Sequence, residues 1–591
     1  MAIIHLSGTK LAQNKAKAPL NRKFMYSVGF IFLIAMHLYI ANLGGTGLAL
    51  PFNISTWLAL SFVIAIGLYH MAKTRQVRYS KLSMVLFITC IFLTLPVFYP
   101  LANNWMSSLP RLIGLWSGWF FFFILQQFRL SNQHKQRLLW FIVIATAMQA
   151  ILGYMQLFGL LPKDIIGYND FTQLPFGIFQ QLSVMVSFLS TGVILSGYLL
   201  ARQQRKYGQR ISRTLFLYLM PIFTIPLLIL LSQELEWIGT AIGFVFVAIY
   251  LYRFSTRQRL GGWVSLSIAG VGLGLILLST IGHQIPDSKT PTISKTILFP
   301  QAIDMLIEKP FTGYGYGQTE PEYALYTARQ HQLNPNYPPG YTSVKHPQNE
   351  SLYWGIEGGV VPIIGLIFAA LMVLFKIYSA RKGTRLAIFS LFIPIIIHSQ
   401  TGMPFYSSAA HWLVLIILLY WVDQRTSKYH VFSLSTISRI FIKNIALIIP
   451  LIVTTYMMLA LQTTFTLYRF EKSYPKDITI LSQAIYPVSQ KIEYDWQLHS
   501  NLLKQGLVNK NRDLIIQYIN WSIIAIKHTP REQYYRHLIL AYLGLGEISK
   551  AEQIRTEANF LFPNDDFSTI NIDPIDNSLP EENNTEEVTD Q

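Results

Sequence analysis

Gly340-Tyr-Thr-Ser-Val-Lys-His-Pro-Gln-Asn-Glu-Ser-Leu-Tyr-Trp-Gly-Ile-Glu-Gly-Gly-Val360 leads straight into an apolar run that reaches Leu374. A polar, titratable segment therefore ends at the mouth of a membrane-length hydrophobic stretch. Pro347 disfavours helical dihedrals at the residue before it and suits a first helical position itself. The reading predicts a helix that starts at Pro347, with the His346 ring just outside it. Backbone N–H groups at such a start attract anions, and Lys345 adds a positive charge. An imidazole, a cation and a helix N-terminus at one end of a span suit chemistry on an anionic, lipid-linked substrate.

Outward from this stretch the chain repeats the same pattern of long apolar runs. It is 52% hydrophobic and only 13% charged, with a mean hydropathy of +0.35. Runs long enough to cross ~30 Å of hydrocarbon recur, at roughly 24–42, 55–72, 82–100, 110–128, 138–158, 181–201, 214–232, 236–252, 262–281, 359–379, 385–401, 408–423 and 439–461. The predicted fold is all-α and polytopic, with about thirteen membrane helices. The first run is too long for a cleavable signal peptide and lacks a small-residue cleavage site. The single cysteine, Cys90, lies within a run, so there is no disulfide framework.

Lysine and arginine set the expected orientation. Lys10, Lys15, Lys17, Arg22 and Lys23 precede the first run, and every second connection after it is basic, as in Lys73–Lys81, Arg202–Arg213 and Lys376–Arg385. Of the acids before residue 462, only Asp423 falls on the basic side. A cytoplasmic N-terminus and an external C-terminus follow. The formal charge of +17 then reports orientation in a membrane and calls for no nucleic acid.

The remaining segments divide the chain. Residues 1–23 read as a basic cytoplasmic arm, 24–461 as the membrane domain and 282–358 as its large outer loop. Within that loop Ala302, Ile303, Leu306 and Ile307 share one face of a helix predicted between Pro300 and Pro310, lying on the membrane surface. The segment 321–345, rich in Tyr, Pro and Asn, reads as an irregular cap. A shorter outer loop, 398–411, is flanked by His398 and His411. The run 181–201 carries Ser183, Ser187, Ser190 and Thr191 at helical spacing, a stripe suited to helix packing. From 462 the composition turns acidic. Ala541–Ala551 followed by Phe560-Leu-Phe-Pro563 resembles one helical hairpin of the tetratricopeptide kind, giving a small external helical domain over 462–563. Residues 564–591 read as a disordered acidic tail.

Three segments together resemble the O-antigen ligase superfamily, and within it the bacterial protein O-oligosaccharyltransferases that modify type IV pilins and other exported proteins. They are Lys309-Pro-Phe-Thr-Gly-Tyr-Gly-Tyr-Gly317, then His346-Pro-Gln-Asn-Glu-Ser-Leu with Trp354 and Glu357-Gly-Gly359, then His398-Ser-Gln with Pro404-Phe-Tyr and His411-Trp. Phe176–Gln181 is similar to a fourth. The sequence departs from the family pattern at Leu182-Ser183, where Pro-Asn is usual, at Ser232–Trp237, where acids replace an Arg, and at Gly402, where Glu is common. Lys295 stands nearest to where an Arg is expected.

The resemblance implies a GT-C-like glycosyltransferase of the inner membrane, with its active site in the periplasm. The donor would be an oligosaccharide on undecaprenyl pyrophosphate and the acceptor a hydroxyl of an exported protein. No cofactor, metal or nucleotide sugar is implied. His346 carries over as the catalytic, acceptor-activating residue and Asn349 as its neighbour. Lys295, Arg329 and Lys345 are candidates for the diphosphate. Gln180, Gln181, Glu357, His398, Gln400 and His411 are candidates for substrate contact. The same chemistry could serve a lipid A-core acceptor, as in an O-antigen ligase, or a growing glycan, as in a polymerase. A transporter or flippase is the alternative of a different class. Against it, charges inside the spans are nearly absent and polar groups gather on one face.

Overall fold

The computed structural model describes residues 19–41, 49–100, 105–160, 174–203, 211–231, 236–281 and 293–571. Residues 572–591 of the predicted tail, most of the basic arm and Ser232–Leu235 lie outside them, whereas Phe567, inside the predicted tail, is buried in a hydrophobic core. The chain forms two compact units, one of residues 1–317 and 346–494, the other of residues 318–345 and 495–591.

The first unit is a polytopic helical membrane domain. Among the described residues eleven helices are long and apolar enough to cross a membrane, from Pro51–Thr74 to Thr436–Lys472. The two predicted spans not among them have clear reasons. Pro19–Leu33 stops after 15 residues and passes into a 3-10 turn. Ala409–Thr426 holds His411 near its start and Asp423 and Arg425 near its end, which dilute its apolar stretch. The helix Leu182–Ala201 is buried from Val184 to Leu200, as expected of a helix apolar on all sides. It packs against Asn132–Leu157, Ile211–Leu231, Glu236–Phe254 and Ile393–Thr401. The predicted span 385–401 is broken into Arg385–Ser390 and Ile393–Thr401, with Pro394 at the start of the second piece. The last helix, Thr436–Lys472, runs on past the predicted end at 461 and carries Pro450 inside it.

The basic connections hold two features that hydropathy does not predict. Gln76–Tyr79 pairs antiparallel with His430–Ser433, Gln76 opposite Ser433, so a short ribbon interrupts the helical chain. The buried Asp423 accepts hydrogen bonds from Gln126 Nε2 at 3.0 Å and from the Tyr429 hydroxyl. Those donors allow an acid to be buried at this otherwise basic end.

The second unit contains the helices Arg512–His528, Glu532–Gly544 and Ile548–Leu561, most of Lys491–Val508, and the loop helix Thr319–Leu333. The segment 321–345 is therefore helical over its first half, not irregular. Tyr323, Ala324, Tyr326, Thr327 and Ala328 are its buried residues, and it packs against Ile548–Leu561 and Arg512–His528. Glu320 accepts a 3.0 Å bond from Arg531 Nε. The core is aromatic: Trp496 stacks on Tyr534 and His537, with ring centroids 4.9 and 4.8 Å apart. The boundary between units falls at 494–495 rather than at the change of composition near 462.

Candidate active site

The helix after His346 begins later than Pro347 implies. It spans Glu350–Gly358, and Asn349 is its N-cap, accepting from Leu352 N–H at 3.0 Å. Gln348 adopts φ +55° just before it. Asx caps satisfy orphan N–H groups, so this helix start is closed by its own side chain instead of lying open beside His346. Asn349 also donates from Nδ2 to the Gln400 carbonyl at 2.9 Å, which ties the second family-like segment to the third.

Glu350 makes the next tie. Its Oε1 accepts from the backbone N–H groups of Phe405 and Tyr406 at 2.9 and 3.1 Å. Burial pushes its carboxyl up to about 7, against the opposing pull of those two amides and of Arg111. The His346 ring meets Tyr406 edge-on, centroids 5.2 Å apart, and Tyr353 at 6.4 Å. One imidazole is thus held between two phenol rings, and both rings stand on segments that Asn349 and Glu350 fasten together.

Glu357 is fully buried and forms an ion pair with Arg111, a residue the sequence reading passed over. The acid stands in the last turn of its helix, the unfavourable end for a negative charge. Arg111 offsets this, and Gly317 N–H donates to Glu357 Oε1 at 3.0 Å. The guanidinium lies 4.1 Å from the ring centroids of both Tyr353 and Trp354 and 5.2 Å from Tyr316. Tyr314 N–H and Gly315 N–H bond to the Ile356 and Glu357 carbonyls at 2.8 and 3.0 Å. The Gly-Tyr-Gly-Tyr-Gly run is therefore laid along the end of the helix. Gly313 and Gly359 both have φ near +70°, at 62° and 70°. A Cβ at either would come within 2.6 Å of backbone, at Glu357 and Phe311 respectively. Glu357 is accordingly a clasp, not an open substrate contact.

His398 and His411 meet through Ser187. The hydroxyl lies 2.7 Å from His398 Nδ1 and 2.9 Å from His411 Nε2, and all three residues are buried. The stripe on Leu182–Ala201 is thus partly site and partly packing: Ser190 bonds Thr240 at 2.5 Å, and Thr191 donates to the Ser187 carbonyl at 2.8 Å. A Cβ at Gly402 would stand 2.7 Å from His398 Nε2, so the departure at Gly402 makes room for this ring. Lys295 lies within Coulombic range of His398. It opens the helix Lys295–Glu308, which starts five residues before Pro300 and buries Leu298, Ala302 and Met305 while Ile303 and Ile307 face outward.

Gln180 donates to the Ile40 carbonyl at 2.9 Å, and Gln181 caps Leu182–Ala201 by backbone only. The turn they close is held from helix Asn132–Leu157. Gln156 makes both bonds to the Gly177 backbone, at 2.8 and 2.9 Å, and Gln149 accepts from Ile178 N–H at 3.1 Å. Gln400 is exposed and bonds Ser399 at 3.1 Å. Arg329 and Lys345 belong to the second unit. The first unit thus gathers His346, Asn349, Glu357, Lys295, His398, Gln400 and His411, and adds Arg111, Ser187 and Glu350.

A polytopic helical membrane protein with a polar site built from loop segments and buried histidines is the class that fold and geometry define. Residues 386–573 match a family model described as virulence factor membrane-bound polymerase, C-terminal. The match covers about a third of the chain, and over that part the chain is similar to this family of membrane-bound polymerases. The match takes in His398, Gln400 and His411 and begins after His346. No curated protein matches the chain.

Proposed function

We propose that the protein is an O-oligosaccharyltransferase that moves a preassembled glycan from undecaprenyl pyrophosphate to Ser or Thr hydroxyls of periplasmic proteins such as a pilin. The observation that carries this reading is the fastening of His346. Asn349 to Gln400, Glu350 to Phe405 and Tyr406, and Glu357 to Arg111 fix the segment on either side of one half-buried imidazole. In the reaction the acceptor oxygen attacks the anomeric carbon as neutral His346 takes its proton. The carbon–oxygen bond to the diphosphate breaks, its electron pair leaves with the lipid diphosphate, and the anomeric carbon is inverted. Diphosphate is a good leaving group, so positioning and charge neutralisation suffice and the step needs neither metal nor other cofactor. Lys295 is the first-unit cation this reading assigns to that charge. The helical second unit suits recognition of a polypeptide acceptor, and the site and C-terminus lie on the periplasmic side of the inner membrane.

The family description as a polymerase favours a growing glycan as the second reading, with the same chemistry and another acceptor. Intact masses of exported proteins, compared in cells with and without this chain, test the choice. Loss of a glycan mass from one or more proteins is expected. Unchanged proteins together with a shortened surface polysaccharide would transfer the case to the polymerase.

A further inference from the structure

At the basic end of the first unit two arginines stack on one aromatic group. Trp421 Nε1 donates to the Tyr198 hydroxyl at 2.9 Å, and Tyr198 stacks on Tyr250 with centroids 5.6 Å apart. Arg425 lies 4.4 Å over the Trp421 ring and Arg202 lies 5.4 Å over the same ring. Arg202 also lies 5.7 Å over the Tyr198 ring.

These cations have no acidic partner among the described residues. Asp423, two residues from Arg425, is engaged by Gln126 and Tyr429 and is not among the charges acting on Arg425. Arg202 Nε is buried without a hydrogen-bond partner among the described residues. Orientation in a membrane requires cations near this end, but not their convergence on one ring against mutual repulsion. A guanidinium stacked on an indole keeps its in-plane N–H edge free, and that edge matches two oxygens of a phosphate. Tyr198, Tyr250 and Trp421 are themselves buried, so the platform is rigid. Basic pockets between membrane helices are suited to phospholipid headgroups.

We propose that Arg202 and Arg425, on the Tyr198–Tyr250–Trp421 platform, bind the phosphate headgroup of one anionic phospholipid in the leaflet at the basic end. The site is separate from His346 and its occupancy does not depend on the transfer reaction.

The test is native mass spectrometry of the full chain in neutral detergent, titrated with dioleoylphosphatidylglycerol, with dioleoylphosphatidylcholine, and with phosphatidylglycerol in the presence of inorganic phosphate. The wild type is expected to retain one phosphatidylglycerol at least tenfold more tightly than phosphatidylcholine. R202Q/R425Q is expected to weaken that binding on the order of 25-fold, about fivefold for each cation lost near a membrane surface. K73Q/K81Q, which removes two exposed cations elsewhere on the same face, should leave it within twofold. R425Q alone removes only an exposed stacked side chain and is expected to cost about fivefold, so it decides the matter should the double variant not fold. Equal binding of the two lipids, or equal losses in the R202Q/R425Q and K73Q/K81Q pairs, would overturn the proposal. So would full displacement by millimolar phosphate, which would assign the cluster to a free anion.

Discussion

Removing one charge of the Arg111–Glu357 pair should be far more damaging than removing both. The side chains are 8% and 0% exposed, so neither survivor can be rescued by water. Breaking a buried pair from one side costs about 3–5 kcal/mol, whereas replacing both charges by neutral groups of similar size is often near neutral. Arg111→Met leaves Glu357 buried as an anion without its guanidinium, with Gly317 N–H still donating to it. Glu357→Gln keeps an oxygen for that amide but strands the guanidinium among Tyr316, Tyr353 and Trp354. Each single variant should therefore lose ~3–5 kcal/mol, and R111M/E357Q no more than ~1–2 kcal/mol, a coupling of several kcal/mol. Unfolding in mixed micelles titrated with sodium dodecyl sulfate, followed by tryptophan fluorescence, measures all four proteins. Limited proteolysis near residues 311–318 reports whether the glycine run has come off the helix. Additive losses in the double variant would refute the clasp.

Three further outcomes follow from the same geometry. The Glu350 carboxyl is raised to about 7 by burial, so its contribution to stability is full below its unfolded value of 4.5 and is lost as pH rises from there through about 7. Glu350→Gln keeps an acceptor for the Phe405 and Tyr406 amides, and should flatten the stability profile across that window when thermal unfolding is followed at several pH values; an unchanged slope would exclude Glu350 as its source. Gly402→Ala places a Cβ 2.7 Å from His398 Nε2 while its extended backbone, φ −164°, accepts alanine; transfer should fall with little change in stability, and wild-type turnover would show that the His398–Ser187–His411 arrangement is dispensable. Topology reporters fused after Lys382 and after Ser500 should be active inside and outside the cytoplasmic membrane respectively, and an internal Ser500 would undo the orientation.

The spans were legible because long apolar runs admit few alternatives. Pro19–Leu33 and Ala409–Thr426 show the limit of that signal. One run outlasts its helix, and the other is a buried helix whose His411 and Asp423 each find a partner inside the bundle through one side-chain atom. Loop helix Thr319–Leu333 was illegible because its buried side chains are Tyr, Ala and Thr, without the aliphatic stripe that marks amphipathicity. Its partners lie some 200 residues away in the second unit. Pro347 was a fair signal for a helix start, but Asn349 can accept from the N–H at N3 and won locally. His346, His398 and His411 could be picked out as candidates, since imidazoles at span ends are few. That the latter two meet on Ser187 could not, because a serine on a membrane helix reads as packing. Arg111 left one trace, a cation within a predicted span, which in a membrane calls for a buried partner.

Glycan transfer by His346→Ala is the most direct measure of the central claim. His346 is half-buried in a loop and supports little core, so the variant should insert and accumulate as the wild type does, judged by immunoblot of the membrane fraction and by size-exclusion chromatography. In the same cells the acceptor's glycan mass should be lost, or restored only on long incubation, since removing a general base costs about 10²–10⁴-fold in rate. Wild-type glycosylation in a stable His346→Ala protein would contradict the account.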